Sequence, residues 1–232
     1  MQMIKIMQLE IKKAQLGWYV KGAVIANVII LAITALIIFI AQLEVEFFFS
    51  DTEEIFIIPG ILVRGTFIVF AAVLHVKLVV EEFKNRTIHV MFMYPISRKR
   101  LIAAKVLCVV GLTFFTIVLS NVIIMSIVIV ANASFQFIAA PITVDMLMGQ
   151  LVTIVIYAIG ATGTSLIPLY FGLRKQSVPV TITSSLVIAL LISSHNPVFS
   201  IASIIYVPLV LAIVGVHLTL MTVRDVEMAD VF

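Results

Sequence analysis

Residues 101–131 read LIAAKVLCVVGLTFFTIVLSNVIIMSIVIVA, a run whose single charge is Lys105, near its start. At about 1.5 Å per residue, a helix over this run is longer than the roughly 30 Å of hydrocarbon in a bilayer. The run does not alternate at period two as a barrel strand would, and backbone satisfaction in lipid then leaves the helix as the only option. Working outward, five more apolar runs obey the same logic: Trp18 to Gln42, Ile57 to Val80, Met146 to Leu173, Val178 to Ser194 and Ser200 to Thr222. The third and fourth runs in chain order exceed the minimum span and are expected to tilt or project beyond the membrane. The fifth is short, and the sixth is interrupted by Pro208. The expectation is one all-α membrane domain over residues 1–232 with six transmembrane helices.

Composition agrees. The chain is 62% hydrophobic and 12% charged, with a mean hydropathy of +1.24, whereas soluble domains are near half apolar and a quarter charged. Orientation is set by Lys and Arg, which are retained on the cytoplasmic side. With the amino terminus inside, Arg64 is the one exception among the 15 basic residues. A multi-pass protein of the cell membrane with both termini cytoplasmic is expected. Residues 1–17 place Met3, Met7, Ile11 and Ala14, in line with Trp18 at the boundary, on one helical side and Lys5, Gln8, Lys12 and Gln15 on the other, which suits an interfacial helix in contact with membrane lipid. This segment lacks the short apolar core and cleavage site of a secretory signal.

The acids gather at the first outer loop, where Glu44, Glu46, Asp51, Glu53 and Glu54 surround Phe47, Phe48 and Phe49. They are either ordinary solvated loop charge or a mouth that concentrates cationic amphipathic molecules. Arg64, within the second run, is expensive in a bilayer. It either pairs with Glu44, Glu46 or a headgroup phosphate, or faces a translocation path between two subunits.

Catalytic chemistry is hard to find. GILVRGTF from Gly60 has the glycine spacing of a phosphate-binding loop but threonine where the lysine belongs. His75, His89, His195 and His217 are scattered with no zinc-binding pair, and Cys108 is alone. No metal site, enzyme activity or cofactor of this chain is expected, and nucleic-acid binding has no support because topology accounts for the basic residues. The segment Gly160-Ala161-Thr162-Gly163-Thr164-Ser165 reads as a small-residue face for close helix packing.

The charged interruption VEEFKNRTIHVMFMYPISRKR, Val80 to Arg100, remains. From Glu81 to Met93 a helix can continue, with Phe83, Thr87, Val90 and Tyr94 on one side. Pro95 then ends it, and Ser97 stands where an N-cap would start the third span. Glu82-x-x-x-x-Thr87-Ile88, then Tyr94-Pro95-Ile96-Ser97-Arg98 and Lys105, resembles the loop between the second and third spans of type-2 ATP-binding-cassette (ABC) export permeases. The resemblance covers the whole chain in architecture and Glu82 to Lys105 in motif. Arg86 departs from it, standing where many members have glycine.

The resemblance implies that residues 81–100 form a cytoplasmic coupling helix seated in a groove of a separate ABC ATPase subunit, which would hold ATP and Mg. A second permease subunit, identical or different, would complete the unit. By motif match the coupling interface comprises Glu82, Thr87, Pro95, Ser97 and Arg98, with Phe83, Val90 and Tyr94 as apolar anchors. The acidic, aromatic outer loop points to export of cationic amphipathic peptides or peptide antibiotics, with antibiotic resistance as the benefit. The alternatives are an ordinary inner loop, or a non-transporting scaffold or regulatory subunit that recruits a soluble partner.

Overall fold

The computed structural model of the chain describes residues 17–43, 54–85, 98–135, 143–194 and 204–228, together with the isolated positions 7, 9 and 12. Among these, every regular element is helical. Helix α1 spans Gly17–Leu43 and α2 spans Glu54–His75; a π-helical turn, Val76–Val80, joins α2 to the short α3, Glu81–Lys84. Then come α4 (Arg98–Phe135), α5 (Val144–Thr164), α6 (Ile167–Lys175), α7 (Val178–Ile192) and α8 (Tyr206–Met228). Five stretches, Gly17–Ile40, Ile55–Lys84, Arg100–Phe135, Val144–Lys175 and Tyr206–Arg224, are long and apolar enough to cross a membrane, while Val178–Ile192 is apolar but shorter. The six expected runs therefore appear as five full-length rods and one short one. At 15 residues, α7 covers roughly 22 Å, less than the hydrocarbon thickness.

Two boundaries depart from the sequence expectation. The fourth rod is broken between α5 and α6, because the ring of Pro168 conflicts with the carbonyl four residues back, at Thr164, where α5 ends. Ser165 and Leu166 bridge the break by donating to the Ala161 and Gly163 carbonyls. Pro208 does not interrupt the sixth rod. It lies in the first turn of α8, where its missing N–H has no helical partner to lose. The helix that starts at Glu81 reaches Lys84, with Asn85 in a turn, and the rest of the expected stretch to Met93 lies outside the described residues. Residues 86–97, and with them Thr87, Val90, Tyr94, Pro95 and Ser97, lie outside the described residues, as does most of the expected interfacial helix.

Helix α2 is the centre of the bundle, packed by α1, α4, α5 and α7. Two apolar clusters stack along it. One joins Val63, Phe67 and Ile68 of α2 to Ile117 and Ile124 of α4, Ala158 of α5 and Ile192 of α7. The other joins Ala71, Leu74 and Leu78 to Tyr19, Ile102, Val106 and Leu169. Helix α1 is peripheral and turns Val24, Val28, Leu36 and Phe39 outward, a pattern that suits lipid and not water. At the turn between α6 and α7, Ser177 donates to the Gly172 carbonyl and Gln176 to that of Leu173. This is a Schellman closure with Gln176 in the left-handed region at φ 45°.

Side-chain hydrogen bonds hold α1 in register on α4. The Asn27 amide donates to Ser120 Oγ at 2.9 Å. The Tyr19 hydroxyl lies 3.0 Å from Thr116 Oγ1. Thr116 itself donates to the Leu112 carbonyl, so Tyr19 is the donor between the hydroxyls. Tyr19→Phe is expected to lower stability by about 1 kcal/mol, read as a small fall in the thermal unfolding midpoint of detergent-purified protein.

Candidate functional site

Among the described residues, two charged inclusions interrupt the apolar interior. The first lies where α2 ends. In the π-helical turn the Glu81 N–H reaches back five residues to the Val76 carbonyl. The turn inserts one residue relative to an uninterrupted α-helix, so the residues after it are rotated by about 100°. This rotation carries Glu82 to the face that meets α4. There Lys105, fully buried, places Nζ 2.8 Å from Glu82 Oε2 and 2.9 Å from Oε1. The same ammonium donates to the Leu78 carbonyl at 3.1 Å, within the π turn. A buried charge is tolerable only when paired and hydrogen-bonded, and this ammonium has a carboxylate and a carbonyl. Its effect is to tie the end of α2–α3 to the start of α4, on either side of residues 86–97.

Glu82, read from the sequence as a contact for a partner, is thus turned inward and paired with Lys105. Phe83 is half-buried against the second apolar cluster. Arg98 is the first residue of α4, directly after Ser97. His75, fully buried just ahead of the π turn, has neither ring nitrogen hydrogen-bonded among the described residues. The thiol of Cys108 is buried in α4.

The second inclusion surrounds Arg64. About ten residues into α2, it lies roughly 15 Å along the helix from Glu54. Its side chain is 4% exposed. Nε donates to the Gly60 carbonyl one turn back, at 3.0 Å, and Cζ stands 3.8 Å from the centroid of the Tyr157 ring. A cation over an aromatic face is attracted by the ring quadrupole. A cavity of about 260 Å³ opens here between α2, α4 and α5, with Arg64, Asn121, Gln150, Thr153 and Tyr157 on its wall. Phe56, Ile57, Ile117 and Ile154 supply its apolar side. Glu44 and Glu46, expected as partners of Arg64, lie outside the described residues.

Sequence reading singled out Arg64 but missed the residues around it. A signal was present in the fourth run, where Gln150, Thr153 and Tyr157 stand at spacings of three and four and so share one helical face. The Asn121 contribution comes from another helix and has no local signature. No group of three or more His, Cys, Asp or Glu residues that could hold a metal ion occurs among the described residues.

Among the described residues, five helical stretches long and apolar enough to cross a membrane enclose two charged inclusions. The chain is 46% identical over 227 residues to YcbO of Bacillus subtilis (strain 168), an uncharacterized protein; the match covers 98% of this chain and 100% of that one. The chain belongs to the same family as YcbO. No family model matches it, and no solved structure does.

Proposed function

We propose that this chain is the membrane-spanning subunit of an ATP-driven ABC exporter in the cell membrane, with both termini cytoplasmic. A separate ABC ATPase would hold ATP and Mg, and a second permease subunit would complete the assembly. The observation that carries this reading is the Glu82–Lys105 pair. It braces both flanks of residues 86–97, so a force applied to that segment would pass into α2 and α4 together and not be absorbed by a slack loop. Glu82 then acts as a positioning residue, while Thr87, Val90, Tyr94, Pro95, Ser97 and Arg98 are the positions proposed to meet the ATPase. The proposed cargo, cationic amphipathic peptides, rests on the acidic and aromatic residues 44–54.

The test is co-purification in mild detergent of wild type and a Tyr94→Ala, Pro95→Ala, Arg98→Ala variant, followed by ATP hydrolysis in the eluate. An ATPase that accompanies wild type and is lost from an equally helical variant supports the reading, and stimulation of its turnover by cationic peptides supports the cargo. If no ATPase is retained under any condition, the scaffold alternative takes its place.

A further inference from the structure

Helices α5 and α8 meet backbone to backbone at Gly163 and Ala212, and a trough runs beside this seam. It is an open groove of about 900 Å³ between α4, α5 and α8, within the roughly 300–1,000 Å³ range of small-molecule sites. Gly111 of α4 keeps it open, since a Cβ there would meet nothing within 4 Å. The walls are mostly apolar, with Phe114, Ile159, Leu209 and Ile213 toward one end and Val216 and Leu220 toward the other. Two polar groups break this lining. Thr162 is 3% exposed, and its Oγ1 has no hydrogen-bond partner among the described residues, an uncommon state for a buried hydroxyl. His217, exposed, is the one ionisable residue on the wall among those described. Helical side chains lean toward the helix N-terminus. The His217 ring therefore leans back along the groove toward the turn of Ala212 and Ile213, which packs on Gly163, next to Thr162.

His217 stands seven residues, roughly 10 Å, before Arg224, where the apolar stretch of α8 ends. A ligand head that reaches it therefore sits within the hydrocarbon depth. A permanently ionised head such as a phosphate is costly there. A carboxyl group is better suited, because it shares one proton with an imidazole and stays hydrogen-bonded in either charge state. We propose that this groove binds a long-chain carboxylic acid that enters from the bilayer. One carboxyl oxygen pairs with the His217 imidazole, the other accepts from the Thr162 hydroxyl, and the alkyl chain lies past Gly111 toward Phe114 and Leu209. The site uses none of residues 86–97 and does not depend on the transport reading.

Protein in phosphatidylcholine nanodiscs is equilibrated with hexadecanoic acid, its methyl ester or hexadecyl phosphate, and bound ligand and protein copies are counted by native mass spectrometry. Wild type is expected to retain the acid roughly tenfold over either of the others. His217→Leu, at an exposed position, should abolish that preference while the ester stays bound as before, and Thr162→Val should reduce it roughly threefold. Gly111→Leu, whose side chain would enter the groove, should lower retention of acid and ester alike. Equal retention of acid and ester by wild type overturns the proposal, as does hexadecyl phosphate retained as well as the acid. A preference unchanged in His217→Leu or Thr162→Val, or acid retention unchanged in Gly111→Leu, overturns it too. So does a wild-type dimer that retains no acid and that Gly111→Leu returns to monomer, which would assign the groove to a second copy of this chain.

Discussion

Lys105→Met is expected to destabilise the chain by about 3–5 kcal/mol, the usual consequence of removing one member of a buried ion pair. The methionine fills most of the lysine volume, so the loss is electrostatic. Glu82 would keep a buried carboxylate without its ammonium, and the Leu78 carbonyl would lose the donor 3.1 Å away. Glu82→Leu alone is expected to be comparably harmful, because it leaves the ammonium buried instead. The double variant Glu82→Leu, Lys105→Met should recover most of the stability, since well-packed apolar replacement of a whole buried pair is often neutral or favourable. Unfolding of the four proteins in detergent, arranged as a double-mutant cycle, measures the coupling directly. If the single variants unfold at the wild-type midpoint, the pair does not brace the two helices, and the mechanical argument for coupling through residues 86–97 fails with it.

That pair also marks where sequence reading stopped. Lys105 stands out in its run and Glu82 stands out in the loop, yet nothing in VKLVV announces a π turn. The choice between four- and five-residue hydrogen bonding is settled by the α4 surface against which Leu78 and Glu82 pack, not by local propensity. The rods themselves were legible, because lipid-length apolar runs leave the backbone only one way to satisfy itself. Their breaks were partly legible. Pro168 lies inside what reads as one run, Met146 to Leu173, and only its conflict with the Thr164 carbonyl converts that run into α5 and α6. Arg64 is conspicuous by its charge, whereas its cavity is assembled across α2, α4 and α5 from residues far apart in the chain. Such convergence depends on helix packing angles, which a single sequence does not encode locally.

The small-residue face at Gly160 to Ser165 was legible, and it leads to the second large expectation. Gly215→Ala should destabilise the bundle by about 1–3 kcal/mol or more, the range for overpacking a close contact. Helices α5 and α8 approach here backbone to backbone. A Cβ at Gly215 would overlap the Gly163 carbonyl oxygen and stand 3.2 Å from its carbon. One at Gly163 would stand 2.8 Å from Ala212 Cα, and one at Gly160 would stand 2.7 Å from the Pro208 ring. Backbone atoms cannot rotate aside, so the helices must separate along several turns, and the Thr164 hydroxyl, 3.3 Å from the Pro208 carbonyl, would lose that contact. Gly111→Ala and Gly149→Ala provide the contrast. Both glycines lie inside helices with nothing within 4 Å of the new methyl, so helix propensity alone predicts no loss and a gain of up to about 1 kcal/mol. Thermal unfolding of the three variants in one detergent separates packing from propensity: if Gly215→Ala behaves like the other two, α5 and α8 do not meet through their glycines.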